Sequence, residues 1–491
     1  MATKLVYTPL DEINQIHARL NASFRAGKTK PIAARKENLA KFAYMVKDNI
    51  DALGDTLTAD LGRPKLESLF LELNSLIKES VDAYKSVDKW AQPDKLPFSL
   101  NFAPMRPVEP KGVVLIISPF NYPIWLALSP AIGAIAAGCA VVIKPSELTP
   151  VTSAVLTELI AKYLPPDVIT VVNGGIPETT RLLDLPWAHI FYTGGGNVGK
   201  IVATAAAKHL TPVTLELGGK SPVIIDPASD MKLAARRVLW GKAINAGQTC
   251  VAPDYVLVPR EGQDAFVKEL QAAYKEFYPQ GAKSSDSYAR IVSTGHWDRV
   301  KGMLDGTNGK IVLGGGADAD RESKFIAPTV VKDVDTEDTL MKSEIFGPIL
   351  PIVPVKDVDA AIEYVNANDH PLALYVFTKD PKFKAKGKLY AHPDTHTLDL
   401  WPFNGAHTTK FTFDTFTHLR ASLDSPGWLD LILGARFPPY TAAKAKKLAG
   451  LTPTTVPFPR PGDKAPSPWA KWATVMAVLG ILSTALAKFR K

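Results

Sequence analysis

From Lys111 onward, short continuous apolar runs alternate with longer stretches whose apolar residues recur every three or four positions. Few folds accept that alternation. Residues 112–117, 140–143, 168–172 and 188–192 read as strands, and 123–137, 151–163 and 198–208 as the helices between them. A strand that is β-branched and apolar throughout is covered on both faces, the condition of a parallel sheet sandwiched by helices. A second unit of the same kind follows, with helix 231–245, strand 255–258, helix 263–277 and strands 328–331 and 350–354. Before both, residues 11–25, 32–53 and 67–89 carry helical spacing, and 91–110 is Pro-rich and extended. At 491 residues the chain has room for two or three domains of this α/β class.

Ligands of such sheets bind beyond the carboxyl ends of the strands. Asn121, Lys144 and Gly194 each follow a strand at that end, so three loops are expected around one crevice. Gly194, Gly196 and Gly199 satisfy Gly-x-Gly-x-x-Gly after a strand and before a helix, a placement suited to a dinucleotide phosphate. No acidic residue follows at the distance usual for a ribose contact. The chain holds only two cysteines, which excludes a disulfide scaffold and lets each be judged singly. Cys139 lies inside an apolar run and reads as a small core residue. Cys250 ends Asn245-Ala246-Gly247-Gln248-Thr249-Cys250, where Gly247 is expected to break the preceding helix and leave the thiol on a tight turn. Upstream, Leu215-Glu216-Leu217-Gly218-Gly219-Lys220 sets one carboxylate at a strand end. A thiol on a turn and a carboxylate at a strand end suggest a nucleophile and a general base. A free thiol near pKa ~8.5 would need lowering to attack as thiolate.

The net charge of +8 does not point to nucleic acid, because acids and bases alternate and no aromatic–basic motif occurs. His392 and His396 are four apart, but Pro393 between them argues against a helical metal site, and no metal is expected.

The Glu216 and Cys250 segments together resemble the two signatures of the NAD(P)-dependent aldehyde dehydrogenases. Ser118-Pro119-Phe120-Asn121-Tyr122-Pro123, Ile143-Lys144-Pro145-Ser146-Glu147, Phe191-Tyr192-Thr193-Gly194 and Glu344-Ile345-Phe346-Gly347-Pro348 agree in order and spacing. The wording is closest to the class 3 branch, which includes membrane-anchored fatty aldehyde dehydrogenases. The resemblance implies an aldehyde dehydrogenase-like fold with a Rossmann-type cofactor domain and an α/β catalytic domain. Residues 1–110 would be the helical and extended start of the cofactor domain, 111–216 its NAD-binding part and 217–410 the catalytic domain. Residues 411–440 would return as an oligomerisation strand (411–420) that bridges protomers, 441–471 as a Pro-rich tether and 472–487 as a membrane-anchor helix. It also implies oxidation of aldehydes, medium- to long-chain ones in this branch, with Cys250 as nucleophile, Glu216 as base and Asn121 as oxyanion donor. Lys144 and Glu147 would hold the adenosine ribose, Gly194, Gly196 and Gly199 the phosphates, and Glu344 and Phe346 the nicotinamide end. A carboxylate at Glu147 favours NAD over NADP, although class 3 relatives can use both. A homodimer is implied.

Trp472 to Ala487 carries no charge and is flanked by Lys471 and by Lys488, Arg490 and Lys491. As a helix it would be roughly 24 Å long, short of the ~30 Å hydrocarbon core, a deficit that snorkelling lysines and the tryptophans Trp469 and Trp472 can meet. With no N-terminal signal, the catalytic body is expected to face the cytosol from a membrane, the endoplasmic reticulum first and the mitochondrial outer membrane second. One interval departs from the family. Between Thr378 and Phe411, where a Gly-rich turn and a Pro-Phe-Gly-Gly loop are usual, residues 386–410 hold almost none of those glycines. A misplaced exon boundary or a remodelled pocket would each produce such a local departure. A catalytically impaired membrane protein and a cofactor-independent thiol esterase are therefore the rival readings.

Overall fold

The computed structural model describes residues 4–95, 105–106, 108–369, 371–383, 385, 409–420, 430 and 433–449. The chain divides into two compact units, Met1–Pro97 with Met105–Ala421, and Phe98–Pro104 with Ser422–Lys491. Two sheets organise the first. Strands β1 (Val113–Ile117), β2 (Ala140–Lys144), β3 (Ile169–Val171), β4 (His189–Gly194) and β5 (Val213–Leu217) form one, in the order β3-β2-β1-β4-β5 and all parallel. This is the doubly wound order, whose direction of winding reverses at β1. Every residue of β1 and β2 is buried, as expected of strands covered on both faces. Strands β6 (Pro222–Ile225), β7 (Tyr255–Pro259), β8 (Lys310–Leu313), β9 (Thr329–Lys332), β10 (Ile349–Val355) and β11 (Tyr375–Phe377) form the other, in the order β8-β9-β10-β7-β6-β11. Only the β8–β9 pair is antiparallel in it.

Helix Trp125–Ala137 follows β1 and is buried at every position, because a helix apolar all round needs neighbours on all sides. Helices Asn74–Trp90 and Thr409–Thr415 pack against it. The last of these corrects an expectation, since the resemblance implies a strand over 411–420. In the structure Thr409, Thr412 and Phe413 turn inward at helical spacing, Phe411 is exposed, and only Thr417–Leu419 is strand, antiparallel to Val108–Pro110. The burial available against Trp125–Ala137 favours the helix there. The expected helix 32–53 is also two helices, Ile32–Lys47 and Ile50–Leu61, because the Asn49 side chain donates to Met45 O at 2.8 Å and closes the first.

Of the second unit, the structure describes a 3₁₀ turn, Gly434–Arg436, and a helix, Ala442–Ala449, where the start of a Pro-rich tether was expected. Residues 386–408, the remainder of that tether and the uncharged run 472–487 lie outside the described residues. Among the described residues no helix is long and apolar enough to cross a membrane.

Candidate active site

A cavity of about 750 Å³ opens beyond the carboxyl ends of β1, β4 and β5 and is closed opposite by loops of the second sheet. Asn121, Glu216 and Cys250 all line it, although they come from residues far apart in sequence. So do Gly194, Gly196, Glu344 and Phe346.

The turn that presents Cys250 is built from unusual backbone. Helix Met231–Ala243 stops two residues short of its expected end at Asn245, and Asn245, Ala246 and Gly247 then take φ of 49°, 52° and 76°. Only Gly fits the third position, since a Cβ there would stand 2.3 Å from Gly347 O. Side-chain hydrogen bonds hold the strained pair. Gln248 Nε2 donates to Asn245 O at 3.0 Å and Arg290 O at 2.9 Å, while Gln248 Oε1 accepts the Val292 N–H. Tyr122 and Thr249 share a hydroxyl hydrogen bond of 2.7 Å, which joins the Asn121 loop to the Cys250 turn.

Burial pushes the Cys250 thiol up to about 12, and the Glu344 and Glu216 carboxylates push the same way. This overturns the expectation of a depressed thiol: the surroundings favour S–H, and deprotonation must accompany the chemistry. Cys139 is raised to about 11 by burial, against the opposing pull of the Gly112 and Lys111 backbone and of the Arg35 and Lys111 charges, as a core cysteine would be. Glu344 is itself raised to about 8, first by burial and then by Asp254, against the Gly219 N–H that donates to it. A Cβ on Gly218 would lie 2.2 Å from Glu344 Oε2, so the paired glycines make room for this carboxylate. Phe346, at φ 45°, sets its ring edge-on to Phe120 at 5.8 Å.

Two groups of expected site residues lie elsewhere. Gly199 is inside helix Gly196–Ala207, where a Cβ would meet Leu217 Cδ2 at 2.9 Å, so its place is the close packing of helix on strand rather than the cavity wall. Lys144, at the end of β2, is buried and donates to Glu147 Oε2 at 2.7 Å, and neither residue lines the cavity. The glycine turn does suit a dinucleotide. Cβ atoms at Gly195 and Gly196 would meet open space, and the orphan N–H groups of helix Gly196–Ala207 begin there. Among the described residues no three His, Cys, Asp or Glu side chains gather around a metal site.

Several lining and supporting groups were not anticipated. His296 and Arg299 reach the cavity from helix Thr294–Asp305, and Arg299 Nη2 donates to Ile345 O at 2.7 Å beside Phe346. The Ser293 cap and the spacing of Trp297, Val300 and Leu304 were the available signal for that helix. Behind the cavity wall, Asp254 Oδ1 accepts the Ile345 N–H at 3.1 Å and Asp254 Oδ2 accepts Lys220. Buried Lys242 stands 3.6 Å from Asp254, an ionic rather than a hydrogen-bonding distance, and burial lowers it to about 8.

Comparison with known proteins agrees with this geometry. The aldehyde dehydrogenase family model matches residues 7–386, ending where the atypical interval begins. A dog protein named aldehyde dehydrogenase, dimeric NADP-preferring, is 40% identical over 452 residues, covering 88% of this chain and 99% of that protein. Rat aldehyde dehydrogenase family 3 member A2 is 41% identical over 446 residues, 87% of this chain and 91% of that one. A solved structure titled as the substrate-bound state of Staphylococcus aureus AldH superposes with a TM-score of 0.83 at 36% identity, covering 89% and 99% of the two chains.

Proposed function

The chain belongs to the aldehyde dehydrogenase family, an oxidoreductase acting on aldehydes, and from that premise we propose how its cavity performs the oxidation. The observation that carries the reading is the convergence of Cys250, Glu216 and Asn121 on one cavity. Cys250 Sγ attacks the aldehyde carbon. Because the surroundings hold the thiol protonated, a base must take its proton during attack, and Glu216 faces the same space. The carbonyl oxygen becomes an oxyanion held by the Asn121 amide and the Cys250 backbone N–H, donors worth ~3 kcal/mol in comparable sites. NAD(P)⁺, when bound, accepts the hydride. Glu216, once it has passed that proton to solvent, takes a second one from the water that hydrolyses the thioester, and returns it to the departing thiolate as the acid is released.

Gly194 and Gly196 would approach the dinucleotide phosphates, and Glu344 and Phe346 would hold the nicotinamide end. Lys144 and Glu147, paired at the end of β2 outside the cavity lining, would meet the adenosine ribose only where the dinucleotide extends past that lining. A Glu147 carboxylate accepts from a free 2′-hydroxyl and repels a 2′-phosphate, which favours NAD, while the dog relative is named NADP-preferring. Medium- to long-chain aldehydes are the proposed substrates and a homodimer the proposed assembly. The uncharged run 472–487 supports membrane attachment, with the catalytic body facing the cytosol. A lipid-soluble aldehyde would then be met where it partitions.

Cys250→Ala tests the core of this reading. NADH formation from an aliphatic aldehyde should disappear while NAD binding, read by fluorescence titration, stays within about threefold. Retained turnover would overturn the assignment.

A further inference from the structure

Arg63 is fully buried at 0% exposure, and a guanidinium in such a place is costly unless its surroundings return the lost hydration. Here all three of its nitrogens are used. Nε donates to Asn245 Oδ1 at 3.1 Å, Nη1 to Glu72 Oε1 and Nη2 to the carbonyl of Asn121. Its plane lies over the Tyr122 ring at 4.7 Å. The four partners have distinct places. Asn121 and Tyr122 form the loop after β1, Asn245 opens the left-handed turn that ends at Cys250, and Glu72 lies on the helix before both. Asn245 closes the circuit by donating from Nδ2 to the same Asn121 carbonyl at 2.8 Å. Glu72 is buried too, and its second oxygen accepts the N–H groups of Ile124 and Trp125 at 2.9 and 2.7 Å, capping the helix that follows the Asn121 loop. Glu72 lies in a π turn, Leu69–Leu73, with Leu71 and Leu73 buried on either side of it.

We propose that Arg63 is a positioning residue that locks the oxyanion loop at Asn121 to the nucleophile turn at Asn245, so that donor and thiol are held at one spacing. The inference rests on the functional reading above. It follows from the shape of the group: one planar fork reaches three acceptors on three segments, and a lysine at this position has no such fork. The pair is placed by hydrogen bonds to backbone and to a side chain held in left-handed conformation, so a shift of Arg63 moves both ends of the reacting geometry. Rates depend steeply on such spacing.

The test uses the full chain with Arg63→Lys, Asn121→Ala, the double variant, and Asn245→Gly. Glycine removes the Asn245 side-chain links to Arg63 and Asn121, together with the one from Nδ2 to Gln248 O at 3.0 Å within the turn, while tolerating its positive φ. Measured are kcat and KM for an aliphatic aldehyde with NAD, the rate of Cys250 alkylation by iodoacetamide, and thermal unfolding. Expected for Arg63→Lys is a kcat about 10- to 100-fold lower, comparable to loss of part of an oxyanion donor, with both KM values and the alkylation rate within about threefold. In the Asn121→Ala background the same change should cost about threefold or less, because the group it positions is gone. Asn245→Gly should follow the same pattern, and it decides the matter if Arg63→Lys does not fold. An unchanged kcat in the folded variants, or an equal loss in both backgrounds, overturns the positioning role. If Asn121→Ala itself leaves aldehyde oxidation intact, the active-site reading fails and the inference fails with it. If Asn121→Ala is impaired but Arg63→Lys and Asn245→Gly are not, only the inference fails.

Discussion

Cys250 stands at the end of three successive left-handed residues, beside two carboxylates that favour its protonated form. An acid raised to about 12 is almost wholly neutral at pH 7, and each unit of pH below that value costs tenfold in thiolate. In the cofactor-free protein, alkylation of Cys250 by iodoacetamide should therefore rise about tenfold per pH unit from 7 to 10 without levelling, as followed by mass spectrometry. A plateau below pH 8 would contradict the reading of its surroundings. Cys250 stood out in sequence as the candidate nucleophile because a lone cysteine after Gly-Gln-Thr has no packing reason to be there, and the structure sets it on the cavity wall. The height of its pKa was not, since Glu216 and Glu344 reach it only through the fold. Arg63 was equally hidden. No local pattern marks it, and its burial depends on segments that lie 58 and 182 residues away.

Helices and strands followed their periodicity wherever burial agreed with the local pattern. Thr409–Thr415 did not, and its partner shows why. Helix Trp125–Ala137 approaches it so closely at Gly133 that a Cβ there would stand 2.0 Å from Thr412 Oγ1 and 2.9 Å from the Thr412 carbonyl carbon. Gly133→Ala should lower stability by ~1–3 kcal/mol in denaturant unfolding, as overpacking does in close-packed interiors. Adding Thr412→Ala should recover part of that loss, because the tightest contact is with the side chain. A Gly133→Ala protein as stable as the parent would show that these helices can separate at little cost. The π turn at Leu69–Leu73 belongs to the same class of surprise: apolar spacing announces a helix over this stretch, while the burial of Glu72 is decided by the ion pair it makes with Arg63.

At the scale of the whole chain, the proposed membrane attachment belongs to residues 472–487, none of which is among the residues that line the cavity. Cutting after Pro468 should shift the protein from the membrane pellet to the soluble fraction while leaving aldehyde oxidation in place. A truncated protein that still sediments with membranes through an alkaline carbonate wash would place the attachment elsewhere. The sequence by itself determined the parallel α/β architecture and the order of the loops around the crevice. These follow from hydrophobic period and from turn residues, which act over a few neighbours. Only the tertiary structure decided that Gly199 packs against Leu217, that Lys144 and Glu147 pair with one another away from the cavity wall, and that Thr409–Thr415 is a helix. It alone raised the thiol and buried the Arg63 fork. Desolvation, close approach and charge pairing act between residues distant in the chain, and no local pattern encodes them.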